Sequence, residues 1–206
     1  MSTESELTAT SYAILGLLAI KPWTTYELTQ QMDRGMSRFW PRAASKLYEE
    51  PKKLVSRGFA RKAEETMGRR RRTLYSITPK GRRALGAWAA RPGAGPHLEF
   101  EALLKVFFAE NGSKADLLAS LEAARTWADE RAAENIAIAK GYLAGEGPFP
   151  ERSAHTLLVG RFLADFEDMV RNWAIWASGV VDAWPADISA APADGTTLKR
   201  LAERAP

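Results

Sequence analysis

The sequence predicts a mainly α-helical chain with one small β-hairpin, and three observations carry that reading. Residues 11–85 run in order through an apolar helix, two short amphipathic helices, a basic hairpin and a capped helix. Residues 151–184 hold a long helical stripe of large apolar side chains. Charge is split along the chain: residues 1–92 carry 18 Lys and Arg against 8 Asp and Glu, a net of +10, whereas residues 93–206 carry 11 against 17, a net of −6. A basic module built of helices and a hairpin, followed by an acidic helical module, is the plan of a winged helix-turn-helix domain (1–92) joined to a second helical domain (98–184), with 185–206 as a flexible tail.

Composition sets the outer limits. The chain has 206 residues, 46% of them apolar and 26% charged, which suits a protein with a proper core. It has no cysteine, so disulfides and thiolate metal sites are excluded. The opening MSTESEL has acids where a signal peptide carries bases, and the longest apolar run, Ala13 to Ile20, is far short of the roughly 20 residues a membrane span needs. The expectation is a cytoplasmic protein without a membrane partner.

In the front half, Ser11 is expected to cap a helix through Tyr12, Ile14, Leu15, Leu17 and Leu18, ended by Lys21-Pro22. Thr24 or Thr25 caps the next helix, which carries Tyr26, Leu28 and Met32 inward and stops near Gly35. From Arg42 to Ser56, Leu47, Leu54 and Val55 have helical spacing, and Gly58 suits a left-handed stop. Pro51 removes one helical hydrogen bond and costs roughly 3 kcal/mol, so a kink or a helix in two parts is expected there. Phe59–Glu65 and Arg72–Ile77 read as hairpin strands with Thr66-Met67-Gly68 at the tip. Thr78-Pro79-Lys80-Gly81 opens a further helix, with Thr78 as N-cap.

This layout points to double-stranded DNA. A helix fits the major groove, and arginines on a hairpin tip reach phosphates or a narrow minor groove. The candidate DNA-binding residues are Ser45, Lys46 and Tyr48 on the reading helix, Arg42 on the adjoining DNA backbone, and Arg69, Arg70, Arg71 and Arg72 in the wing. Each has a plainer reading: the arginine run as a solvated loop, Tyr48 as a half-buried core residue. Lys52, Lys53, Arg82 and Arg83 read as solvated helix faces.

In the back half, Arg91-Pro92-Gly93-Ala94-Gly95-Pro96 is a linker by composition. A short apolar helix follows (Phe100, Leu103, Leu104, Phe107, Phe108), then a long one capped by Ser113 whose stripe drifts around Arg131. In the last helix Val159, Phe162, Phe166, Met169, Trp173, Trp176 and Val180 alternate spacings of three and four, a heptad seam. Leu158, Val170, Ala177, Val181 and Trp184 widen the apolar surface beyond one stripe, as expected if one neighbour comes from the same chain and another from a second copy. The seam is therefore assigned as a homodimer interface. Trp127, Trp173 and Trp176 are candidates for stacking on a small flat aromatic effector, with ordinary packing as the alternative.

Catalytic and metal-binding patterns are missing. His97 and His155 are the only histidines, neither has a second ligand at suitable spacing, and no phosphate-binding glycine motif or HExxH occurs. No enzyme activity, cofactor or metal is expected.

The segments LGLLAIKPWTTYEL, SKLYEEPKKLVSRGFA and RRRRTLYSITPKGRRAL, within residues 12–85 and about a third of the chain, resemble the PadR family of bacterial transcriptional regulators. The family has an apolar first helix ending before a proline, a Tyr-Glu-Leu helix, a Leu-Tyr recognition segment and a wing ending in Tyr-x-(Ile/Leu)-Thr-x-x-Gly. Two positions depart from it: Thr25 stands where glycine is common, and Glu49 follows the Leu-Tyr pair where proline is common. The resemblance implies a repressor on a two-fold-symmetric operator. Its larger members carry a C-terminal helical dimerisation domain, and some bind phenolic or multidrug ligands near the dimer interface.

Two other readings stand beside it. A MarR-like winged-helix regulator would place dimer helices at both ends of the chain, and only about ten residues precede the first helix here. A helical adaptor would use the winged domain to bind protein. If the wing touches DNA, Arg70→Ala combined with Arg71→Ala lowers both the affinity and its salt dependence. An unchanged affinity and salt slope in a binding titration removes the wing assignment.

Overall fold

A computed structural model of the chain describes residues 7–67 and 70–203, in two units, Met1–Pro96 and His97–Pro206. The first unit runs α1 (Ala9–Ile20), β1 (Trp23–Thr24), α2 (Thr25–Met36), α3 (Ala44–Ser56), β2 (Ala60–Met67), β3 (Arg70–Ile77) and α4 (Pro79–Ala89). Its sheet is antiparallel in the order β1-β3-β2. The core is made by Ile14, Leu15, Leu17 and Leu18 of α1, Leu28 and Met32 of α2, Leu47 and Leu54 of α3, and Phe59, Tyr75 and Ile77.

Local chemistry accounts for the element ends, and several differ from the sequence expectation. Thr8, not Ser11, caps α1, and Ser11 is the third residue of the helix. The Thr8 hydroxyl accepts from the Ser11 N–H at 3.1 Å, and the Ser11 hydroxyl accepts from the Thr8 N–H at 3.1 Å. Thr24 and Glu27 form the same reciprocal pair at α2. Tyr26 was expected inward; it is exposed, because the buried side of α2 is the Leu28–Met32 stripe and Tyr26 lies off it.

Helix α3 is one helix, not two parts, and it carries Pro51 within it. The Pro51 ring is fully buried on the stripe that holds Leu47 and Leu54, four residues before it and three after. Burial of that ring offsets the missing hydrogen bond. The hairpin strands also reach further than expected, pairing from Ala60 with Ile77 out to Met67 with Arg70. Thr66 and Arg71, expected at the tip, are therefore paired strand residues.

A close joint ties α3, β2 and α4 together. Gly58, with φ at 75°, ends α3. The Thr78 N–H donates to the Phe59 carbonyl at 3.1 Å, and the Thr78 hydroxyl donates to the Gly58 carbonyl at 2.7 Å while accepting from the Gly81 N–H at 3.1 Å. A methyl group on Gly81 would lie 2.1 Å from the Phe59 carbonyl oxygen. Lys80 donates to the Arg57 carbonyl at 3.0 Å at the end of α3 and stands over the Phe59 ring.

The second unit comprises α5 (Glu101–Phe107), α6 (Lys114–Leu143), α7 (Ser153–Asp182) and α8 (Gly195–Ala202), with 3-10 turns at Ala109–Asn111, Pro150–Arg152 and Ile188–Ala190. Helices α6 and α7, each of 30 residues, pack along each other. Leu117 and Leu121 meet Ala177 and Val181, with Trp173 and Trp184 beside them. Lys114 donates to the carbonyls of Asp182 and Trp184 at the end of α7, at 2.8 Å each. In the segment expected to be a flexible tail with one short helical stretch at Thr197–Arg204, Ile188 is buried and Asp194 caps α8, which begins two residues earlier than that stretch.

Gly81→Ala is expected to destabilise the first unit by about 2 kcal/mol or more, the range for a forced steric misfit in a packed site. A thermal or urea melt of the variant checks this, and an unchanged midpoint contradicts the joint as described.

Candidate nucleic-acid interface

Helix α3 presents a single exposed face. Taking 3.6 residues per turn, the buried stripe of Leu47, Pro51 and Leu54 puts Ser45, Glu49 and Lys52 on the outward side, with Lys46 and Tyr48 on its two flanks. Ser45, Lys46 and Tyr48, expected on that face, are all exposed. Glu49 lies almost diametrically opposite the buried stripe. The signal was available in the spacing of Leu47, Pro51 and Leu54, but Pro51 was read as a break rather than a core residue.

The stripe is fixed from behind at its middle and at its C-terminal end. The Ser11 hydroxyl, itself buried in α1, donates to the Glu50 carboxylate of α3. The far end is held by Thr78, Lys80 and Gly81. The N-terminal end is different: Ala43 offers no side-chain cap to the first turn of α3.

Arg42 precedes α3 and stacks its guanidinium over the Trp40 ring at 4.2 Å, while the Trp40 indole donates to Thr10 at 3.2 Å. A hollow of about 310 Å³ lies between α2 and the start of α3, lined by Tyr26, Gln30, Trp40, Arg42 and Tyr48 among others. The Gln30 amide donates to the Tyr26 phenol at 2.7 Å.

Arg71 and Arg72 lie on opposite faces of the wing. Arg71 is exposed and its register puts it on the face of Thr73 and Tyr75. Arg72, on the opposite face, pairs with Glu65 across the strands at 3.1 Å. The Glu27 carboxyl is held below its ordinary range first by the Thr24 N–H and further by the charge of Arg72. Arg72 thus pairs with a carboxylate of its own unit at the surface of the wing. Arg69 lies outside the described residues, and for Arg70 only the backbone position in β3 is described.

In the second unit α7 divides its apolar residues between two stripes. Glu167, Val170, Ala174, Ala177 and Val181 are buried, whereas the heptad seam sits one residue earlier at each step, about 100° around the helix. Val159, Phe162, Met169 and Trp176 of that seam are exposed, and Phe166, Trp173 and Val180 are half-buried. Large apolar side chains on neighbouring surfaces are exposed too: Phe107 at 76%, Leu143 at 89% and Leu158 at 74%.

The three tryptophans expected to share an effector pocket are not brought together. Trp173 and Trp176 line a hollow of about 510 Å³ with Thr197, Arg200 and Leu201, whereas Trp127 packs edge-on against Phe166 at 6.4 Å. Sequence spacing along two different helices carries no information on which rings share a space. Among the described residues no group of three His, Cys, Asp or Glu side chains is placed to hold a metal ion. No helix among them is long and apolar enough to cross a membrane.

Comparison with known proteins matches both units. The family described as "Transcriptional regulator PadR-like family" matches residues 14–87, and the family described as "Virulence activator alpha C-term" matches residues 100–182. A curated relative, the negative transcriptional regulator PadR of Bacillus subtilis, is 31% identical over 99 residues, 47% of this chain and 54% of that protein. The chain thus spans about half the length of the curated relative it matches. The crystal structure of Bacillus subtilis PadR in complex with operator DNA is similar at a TM-score of 0.73 and 22% identity, covering 84% of this chain and 99% of that one. The structure of the same protein in complex with p-coumaric acid is similar at a TM-score of 0.68 and 22% identity, covering 85% and 99%. At that identity the structural likeness speaks for the fold: a winged helix followed by a C-terminal helical domain.

Proposed function

We propose, on the premise that this chain belongs to the PadR-like family of transcriptional regulators, that it binds double-stranded DNA in the cytoplasm as a homodimer and represses transcription from a two-fold-symmetric operator. The observation that carries this is the outward face of α3. Ser45, Lys46 and Tyr48 stand exposed on a helix pinned from behind, in a unit whose sequence carries a net of +10 over residues 1–92. Such a helix enters the major groove with side chains already in place. Arg42 and Arg71 flank it and reach phosphates. Arg69, Arg70 and Arg72 remain candidates for the wing, Arg72 in a surface pair with Glu65.

Homodimerisation rests on the unpartnered seam of α7. Val159, Phe162, Phe166, Met169, Trp173, Trp176 and Val180 form a stripe that the chain's own α6 leaves largely uncovered, and large exposed apolar patches are uncommon on monomers. A second copy covers it by the same seam, and two-fold pairing sets the spacing of the two reading helices. The hollow beside Trp173 and Trp176 is the candidate effector site, with Trp127 left out of it. The binding of p-coumaric acid by the Bacillus subtilis protein supports a flat aromatic ligand. The protein acts by binding and carries out no chemical step.

Fluorescence anisotropy on DNA fragments from upstream of its own coding region, at two salt concentrations, tests the reading. Nanomolar, site-selective binding that weakens steeply with salt is expected. Equal, weak binding to every fragment favours a protein-binding adaptor. Phe162→Glu, a charge on an exposed seam position, is expected to give a folded monomer in sedimentation and a loss of operator affinity of about a hundredfold or more. A variant that remains dimeric places the interface elsewhere.

A further inference from the structure

We infer that Glu49 reads sequence: it accepts a hydrogen bond from the exocyclic amino group of a cytosine in each half-site and, by its charge, weakens binding to every other sequence. The inference rests on the reading of the chain as a DNA-binding regulator and names a determinant within that site. Glu49 lies almost opposite the buried stripe of Leu47, Pro51 and Leu54, at the middle of the outward face, with Ser45 one turn before it and Lys52 one turn after. A helix seated in a groove by this face brings the Glu49 carboxylate to the base edges before it brings Tyr48, which lies to one side.

The chemistry of that position is narrow. An ionised carboxylate only accepts hydrogen bonds. In the major groove the donors are the amino groups of cytosine and adenine. Guanine offers two acceptors, and thymine an acceptor and a methyl group. Cytosine presents its amino group alone, whereas adenine places an acceptor beside it, which repels the second carboxylate oxygen. Glu49 is exposed and so ionised at neutral pH without help, and the Lys52 ammonium 2.9 Å from the carboxylate lowers its carboxyl further. Both groups are exposed, so neither is committed to the core, and Lys52 is free to turn to a phosphate once a base donor replaces it at Glu49.

The same charge acts on the rest of the genome. At a site with no amino group at this position the carboxylate loses its hydration and gains nothing, and it stands within a surface that otherwise attracts phosphates. Glu49 therefore lowers general affinity while raising the ratio of specific to general binding.

The test is a binding selection on a randomised double-stranded library with the full-length protein, followed by titrations on the selected site and its single-base variants. The wild type is expected to select cytosine at one symmetric pair of positions and to lose about tenfold or more in affinity when it is replaced. Glu49→Ala is expected to flatten the preference at that pair alone while binding unrelated DNA several-fold more tightly. Glu49→Gln shifts the preference to adenine, which an amide matches with one donor and one acceptor. Lys52→Ala breaks the same surface ion pair and keeps the cytosine preference, which separates base reading from helix support. A base profile of Glu49→Ala identical to that of the wild type overturns the inference. A wild-type protein that selects no sequence overturns the regulator reading itself, and this inference with it.

Discussion

The first unit depends on one backbone approach. The Phe59 carbonyl receives the Thr78 N–H and has Gly81 pressed against it so closely that no side chain fits between. Three elements meet there: the end of α3, the first residues of β2 and the opening of α4. Because the contact is between main chains, it fixes the direction of the reading helix relative to the hairpin without help from rotamers. Ser11 adds a second anchor at Glu50, nearer the middle of the helix. What remains unanchored is the N-terminal turn and the outward face, the parts that a nucleic acid would meet. The backbone that carries this face is thus held without a ligand, so binding there would have to fix little more than exposed side chains.

The second unit solves a different problem, how one helix serves two neighbours. Small residues, Ala174 and Ala177, let α7 lie close to α6 along one stripe. The bulky residues sit about 100° away, where they do not compete for that space. Trp173 stands between the two uses, packed against the core of the unit and edge-on to Phe100 at 5.9 Å.

Much of this was legible in the sequence, for identifiable reasons. Helices α2, α6 and α7 announced themselves by period, and the caps at Thr24, Thr78 and Ser113 by residue type at the right offset. The seam was visible as a pattern, but the stripe next to it, which holds the hairpin together, was read as a mere widening. Strand β1 was invisible because two residues, Trp23 and Thr24, have no period. Ser11 was misassigned because Thr8 and Ser11 are both good caps, and only the hydrogen bond to Glu50 distinguishes their roles. Pro51 misled for a thermodynamic reason: local propensity opposed the helix, and tertiary burial of the ring prevailed. The arginine run hid its division of labour, since alternation across a strand sends Arg71 and Arg72 to opposite faces and gives Arg72 a carboxylate partner.

The separation of the two stripes on α7 has a further consequence. The α6–α7 hairpin closes its core with residues that lie off the seam, Trp173 alone of the seam packing against the cluster of Leu117, Leu121, Ala177 and Val181, so the core has its own partners without a second chain. Pairing of two copies along the seam, as proposed, would then be an ordinary equilibrium governed by mass action. At concentrations below the pairing constant, the amount of dimer grows as the square of the amount of protein. Occupancy of a two-fold operator would follow that square, so a modest fall in the cellular level of the protein would release its target more sharply than a monomeric binder could.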